Sequence, residues 1–228
     1  MSPIGMAEQS DEQRRQYETE AVHIVEAAAE RGLTLRVLGS LAFHMQCPRY
    51  GYLQKALGRS YTDIDFAGYS KQASRVAEFF ASLGYHEELE VNLYFAGQRM
   101  IYHHPTNDGF HVDIFFDKLN FCHEISWVGR LETESLTLPL AEMLLEKMQI
   151  VKINEKDIID TIMLLLEHPL EEQDRGAINI ARISTLCARD WGLWRTTTMN
   201  LDKVAQMAQG YNELSQEEKT MVQAQVKA

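Results

Sequence analysis

Hydrophobic and polar positions along this chain follow two periods, and the place where one replaces the other is the first structural signal. From about Ser10 to Glu30 there is no Gly or Pro, and Tyr17, Val22, Ile24, Val25 and Ala28 fall on one helical stripe that Gly32 ends. Leu33 to Ser40 (LTLRVLGS) reads as a buried strand closing on a glycine turn, and LAFHMQ as the first turns of a helix before Cys47-Pro48. Arg49 to Arg59 is polar, rich in tyrosine and carries two glycines, which predicts a loop or a frayed helix. TDIDFAG alternates as a strand does. SKQASRVAEFFASLGY predicts a helix with Ser70 as its cap, an apolar face of Val76, Phe79, Phe80 and Leu83, and a stop at Gly84. QRMIYHH and GFHVDIFFD predict two strands joined by the turn-rich PTNDG in a hairpin.

After Phe121 the period changes. TLPLAEMLLEKMQIVKI starts at a proline and keeps helical spacing, NEKDIIDTIMLLLEH is a second helix stopped by Pro169, and two or three more helices follow from Glu171. The expected fold class is therefore α+β: a mixed, twisted sheet flanked by helices, followed by a C-terminal helical bundle. The boundary lies near residue 135, giving units of 1-135 and 136-228. It is a shift in periodicity and not a flexible linker, so the two parts are expected to pack closely.

Composition narrows the function classes. With 228 residues and 45% apolar content the chain can bury a sizeable core. Its 33 acidic against 22 basic side chains give a formal charge of −11, poorly suited to a broad phosphate-binding surface. No extended nucleic-acid surface is expected. Cys47, Cys122 and Cys187 are far apart and form no CxxC pair, so neither a zinc knuckle nor a disulfide framework is indicated. MSPIGMAEQSDEQRRQ has no apolar h-region and no stretch approaches 18 apolar residues, so no membrane association and a cytoplasmic location are expected.

Candidate chemistry lies in the strands. In TDIDF, residues two apart share a strand face, so Asp63 and Asp65 project together while Ile64 and Phe66 point the other way. Two carboxylates that close repel and raise each other's pKa unless a cation intervenes, and hard Mg²⁺ prefers such oxygens. Asp113 interrupts a second apolar strand between Val112 and Ile114. Three strand-borne carboxylates can hold two metal ions roughly 4 Å apart, the arrangement that stabilises attacking and leaving oxygens in phosphoryl transfer. The bland alternative is that each aspartate sits at a sheet edge facing water. Gly39-Ser40 stands where a strand gives way to a helix, whose free N–H groups and positive dipole end suit an anion.

The order of apolar strand, Gly39-Ser40, helix, Asp63-x-Asp65 on the next strand and Asp113 on a later one resembles the nucleotidyltransferase superfamily with the DNA polymerase β type of fold. That resemblance implies transfer of a nucleoside monophosphate from an NTP to a hydroxyl or related acceptor with two Mg²⁺ ions. It implies Asp63, Asp65 and Asp113 as metal ligands and catalytic residues, and Gly39 and Ser40 at the phosphates. The chain departs from the pattern in having 22 residues between Ser40 and Asp63, more than the family's usual spacing. The excess, Pro48 to Ser60, reads as an insertion bordering the cleft, from which Arg59 could reach a triphosphate or simply be a solvated charge.

LLLEKMQIVKINEKDIIDTIMLLLEH resembles the C-terminal motif of the AbiE-type toxin and related uncharacterised nucleotidyltransferases: Lys147, then Lys156-Asp157 and Asp160. Lys147 stands in an apolar helix, where an unpaired ammonium is costly. It could meet a nucleotide phosphate or Asp160, or be a surface lysine with a partner one turn away. Asp157 and Asp160 share a helix face and read as a structural or acceptor-binding pair. The resemblance spans about residues 33 to 168. The acceptor is open: an antibiotic such as an aminoglycoside or lincosamide, an RNA end or a protein side chain, with the acidic balance leaning towards a cationic antibiotic.

Two rival classes remain. His103, His104, His111 and Asp113 on the hairpin strands could form a mononuclear metal hydrolase site, although this leaves Gly39-Ser40 and the paired aspartates unexplained. A non-catalytic binding protein or toxin–antitoxin partner could retain the fold, and acidic C-terminal helices could mediate a homodimer. Trp191 and Trp194, three apart on a helix, read as core or interhelical contacts rather than a base-stacking platform.

Overall fold

Helix α1 (Asp11–Glu30) begins where Ser10 can cap it: the Ser10 hydroxyl accepts from Gln13 N at 3.2 Å, and the Gln13 side chain accepts from Ser10 N at 3.0 Å. This computed structural model describes residues 9–56, 58–106 and 110–228. β1 (Arg36–Leu38) is shorter than its apolar run, because the chain turns at Gly39 (φ +71°) straight into α2 (Gly39–Gln46). The stretch expected as a loop or frayed helix contains a one-turn helix, α3 (Tyr52–Ala56), whose Leu53 and Gln54 are buried.

β2 (Asp63–Gly68) is followed by a 3-10 turn at Ser70–Gln72 and α4 (Ala73–Ser82). Ser70 opens that turn instead of capping α4, and its amide and hydroxyl both donate to Asp117. Then come β3 (His86–Glu87), α5 (Leu89–Tyr94), β4 (Arg99–His103) and β5 (His111–Phe116), followed by a small hairpin of β6 (Lys118–Asn120) and β7 (Glu124–Ser126). The turn expected over PTNDG includes 107–109, which lie outside the described residues, as do 1–8.

The five-stranded sheet runs β1-β2-β5-β4-β3, with β2 and β5 parallel and the other pairs antiparallel, so it is mixed. The face bearing Ile64, Phe66, Tyr102, Val112 and Ile114 is buried, with Phe80 of α4 stacked on Tyr102 at 4.7 Å and Tyr17 of α1 stacked on Phe110 at 4.5 Å. Beyond β1 the sheet edge is taken by the chain approaching the helical half: Val37 N donates to Leu136 O and Leu138 N to Val37 O, each at 2.9 Å.

The second half is helical, as its periodicity predicts: α6 (Leu140–Met148), α7 (Glu155–Glu167), α8 (Ile180–Arg189), α9 (Trp191–Ala208) and α10 (Gln216–Lys227), with a two-residue parallel pair of β8 (Leu170–Glu171) and β9 (Ile178–Asn179). The molecule is thus α+β, a mixed sheet flanked by helices and followed by C-terminal helices. One hydrophobic cluster extends from Ala21 on α1 to Val222 on α10. The expectation for the tryptophans is corrected. Helix α9 buries Leu193, Thr197, Asn200, Val204 and Ala208, a stripe that leaves Trp191 and Trp194 out of the core at 73% and 45% exposure. Among the described residues no helix is long and apolar enough to cross a membrane.

Candidate active site

The paired aspartates do not sit on a sheet edge. β2 lies between β1 and β5, and β5 is the middle strand, so the sheet-edge explanation for these acids does not apply, although Asp63 and Asp65 are each only half-buried. Register does the rest: Asp63 pairs with His111 and Asp65 with Asp113 across the parallel β2–β5 ladder. Directly paired residues project to the same side, and strands lie about 4.8 Å apart, so all three carboxyls occupy one small patch of one face. That is the face opposite the Ile64 and Phe66 core, and it receives Arg99 of β4, two residues before Ile101, the partner of Asp113.

Each acid has a distinct neighbourhood. Asp63 is half-buried, with His111 Nε2 at 3.7 Å from Oδ2 and the Thr62 hydroxyl donating to Oδ1 at 3.2 Å. Asp65 lies against the start of α2, where a Cβ on Gly39 would run into its carboxylate. Any other residue is strained there by the positive φ and would displace the Asp65 carboxylate. Burial pushes the Asp65 carboxyl well above the usual carboxylate range, and Asp63, Asp113 and Glu146 push it the same way against the opposing pull of Lys147. Asp113 is 5% exposed, and the Arg99 guanidinium grips it: Nε donates to Oδ1 and Oδ2 at 2.9 and 3.0 Å, and Nη2 also donates to Oδ2. Burial raises the Asp113 carboxyl and Arg99 opposes that rise.

Behind the acids lies a buried ionic cluster. Glu146 Oε2 accepts from Gly39 N at 3.3 Å. Lys147 Nζ lies 3.3 Å from Glu146, 3.3 Å from Asp157 and 3.4 Å from Asp160, and it sits over the Phe43 ring at 5.2 Å. Burial works to discharge the ammonium, but Glu146, Asp160 and Asp157 outweigh it and hold Lys147 above the ordinary lysine range. Arg59 Nη2 meets the same Asp160 at 3.0 Å. Gln54 completes the link by donating to Asp160 Oδ1 at 2.7 Å and to Ser40 O at 3.0 Å, while Tyr61 donates to Gln54 at 2.8 Å. The insertion after Pro48 is therefore tied to α2 and α7.

The structure brings Asp63, Asp65, Asp113, Gly39 and Ser40 together at one end of the sheet. Lys147 and Arg59 stand next to this group, with their charges engaged by carboxylates of the buried cluster. Ser40 is half-buried at the second position of α2. The histidines divide: His103 stands opposite His111 on the acid face but engages Glu88 at 2.9 Å, while His104 packs against Tyr85 and Phe110 on the other side. Three carboxylates on one face, with mutual repulsion that raises Asp65, suit a hard divalent cation in donor type and in charge. As the side chains stand, no three His, Cys, Asp or Glu among the described residues close on one point, and Asp113 is committed to Arg99. Sequence reasoning passed over Arg99, Glu146 and Gln54. Only Arg99 carried a signal, an outward position on the strand predicted to pair with that of Asp113.

No protein-family model matches the chain, and no curated protein does. Among solved structures it is similar to a solution structure of the antibiotic-resistance factor ANT(2'')-Ia, at 13% identity and a TM-score of 0.44, over 76% of this chain and 95% of that one. A likeness at this level carries neither activity nor substrate across.

Proposed function

We propose that this chain is a metal-dependent nucleotidyltransferase that moves a nucleoside monophosphate from an NTP to a hydroxyl of an acceptor. One observation carries the reading: Asp63 and Asp65 share a face of an inner strand, in register with Asp113, and the glycine backbone at the start of α2 is pressed against Asp65. Asp63, Asp65 and Asp113 are the residues that would hold Mg²⁺. When bound, two such ions supply positive charge for the attacking and leaving oxygens of an in-line displacement.

The protein's own groups account for the rest. Gly39 allows α2 to start against the acids, and the Ser40 hydroxyl would donate to a phosphate oxygen. Asp113 would take the proton of the acceptor hydroxyl as that oxygen bonds to the α-phosphorus and pyrophosphate leaves. The backbone ladder on both sides of β2 holds Asp63 and Asp65 on one face in register with Asp113. On the motif Lys147, Lys156-Asp157 and Asp160 the chain is read as near the AbiE-type group. Three of these residues form one buried ion cluster, while Lys156 is exposed.

Calorimetric titration with Mg²⁺ and each NTP tests the proposal. Magnesium-dependent binding is expected for one or more NTPs and is expected to disappear in the Asp63→Ala/Asp65→Ala double variant, which should stay folded. A folded wild-type protein that binds no NTP with Mg²⁺ overturns it.

A further inference from the structure

The two cations expected from sequence to meet the triphosphate are both held by internal carboxylates. Lys147 is surrounded by Glu146, Asp157 and Asp160, and Arg59 is bound to Asp160. Releasing Lys147 would leave Glu146 and Asp157 buried without a counter-ion, which is strongly unfavourable, and releasing Arg59 would leave Asp160 to share Lys147 with them. Arg99 differs in position and exposure, although the carboxylate it binds is also buried. It stands on the acid face, its side chain is 37% exposed, and its stem lies along the sheet with the guanidinium 5.3 Å from the Phe115 ring. Its Nε and Nη2 groups donate to Asp113.

We infer that Arg99 is an exchangeable occupant of the cation position on Asp113, and that it is the residue that grips the triphosphate once a divalent ion has taken that carboxylate. The inference rests on the nucleotidyltransferase reading. The guanidinium and a metal ion compete for the same two Asp113 oxygens, since two positive groups closing on one small carboxylate repel each other. A guanidinium displaced from Asp113 needs another bidentate anion, and a phosphate group has the matching geometry. Metal and triphosphate each remove the obstacle to the other. A metal ion alone must evict Arg99 into water; a triphosphate alone must draw Arg99 off Asp113 and leave that carboxylate unpaired. Binding of the two is therefore positively coupled through this one side chain, and the coupling is reciprocal.

The test uses calorimetry on the full chain with two probes: MnCl₂ alone, and inorganic tripolyphosphate with and without saturating Mg²⁺, so that no base preference enters. In Arg99→Gln, Mn²⁺ alone should bind about tenfold more tightly and Mg²⁺-tripolyphosphate about tenfold more weakly, opposite shifts within the usual coupling range. In Asp113→Asn, Arg99 is released from a charged partner, and metal-free tripolyphosphate should bind several-fold more tightly. Asp113→Asn tests the inference independently if Arg99→Gln fails to fold. If wild-type protein binds Mg²⁺-tripolyphosphate but Arg99→Gln shifts both affinities in the same direction or neither, the exchange is wrong and the nucleotidyltransferase reading stands. A gain missing from Asp113→Asn also overturns the exchange. If folded wild-type protein binds neither probe, both readings fall together.

Discussion

Replacing Lys147 with methionine keeps most of the side-chain volume and removes one charge from the centre of the buried cluster. The wild-type ammonium lies 3.3 Å from Glu146, 3.3 Å from Asp157 and 3.4 Å from Asp160. At an effective dielectric of about 20, each such contact is worth roughly 5 kcal/mol, set against several kcal/mol of lost hydration for every ion. Removing one partner of a buried ion pair costs about 3–5 kcal/mol, because the carboxylates left behind keep their desolvation. For a chain of this size that corresponds to a fall in melting midpoint of roughly 6–20 °C. The deficit must also depend on pH. Burial raises the carboxyls of Glu146 and Asp160, Lys147 opposes both rises, and without the lysine they rise further. A carboxyl raised in the folded state contributes stability that is present at low pH and lost as pH climbs through its folded value. Urea unfolding of Lys147→Met against wild type should therefore show the largest gap near pH 8 and a smaller one near pH 5. A loss under about 1 kcal/mol at pH 8 would show that the ammonium is not the neutralising centre. A full loss that is the same at both pH values would mean packing, not charge, holds this position.

Two further predictions concern the acid face. Gly39→Ala should cost about 1–2 kcal/mol of stability from the left-handed backbone alone, and its Cβ would also displace the Asp65 carboxylate. Magnesium-dependent NTP binding should fall with it, and a variant with unchanged melting and binding refutes the close approach. Asp65→Asn should abolish that binding yet stabilise the fold by about 0.2–1 kcal/mol at neutral pH, since it removes a like charge directly opposite Asp113. Because burial raises the Asp65 carboxyl in the folded state, the gain should shrink in acid, and a loss of stability at pH 7 would refute the stated electrostatics.

The parts of this fold that sequence pattern carried were those whose signal is local. The stripe on α1, the alternation in TDIDFAG and the caps around α6 and α7 each lie within a few residues of the element they specify. Strand order was not legible. Nothing in TDIDF says that β5 will lie parallel to it and that β4 will come outside β5, so edge and interior positions for Asp63 and Asp65 read alike until the sheet is assembled. The lysine cluster shows the same limit. Asp157 and Asp160 could be placed on one helix face from their spacing, but that this face meets Lys147 depends on how α6 and α7 cross. β3, α5 and the hairpin of β6 and β7 span two to six residues each, too short for either period to register. Trp191 and Trp194 were misread for a related reason: a helix can carry its large aromatics off the buried stripe when smaller residues fill that stripe.

The strap at Leu136–Leu138 has a consequence for biosynthesis. Its partner on the outer side of β1, Val37, leaves the ribosome about a hundred residues before it. At about 5–20 residues per second, β1 waits roughly 5–20 s for that partner, and the sheet, once β5 ends at Phe116, waits about 1–4 s with the outer side of its three-residue β1 open to any passing strand. At the far side the exposure is slight, because β3 contributes only His86 and Glu87. During synthesis, then, the route to misassembly runs through β1. A nascent chain stalled before residue 138 would carry the three clustered aspartates and an unprotected sheet edge together, and the first stretch of the helical half works as the guard on that edge.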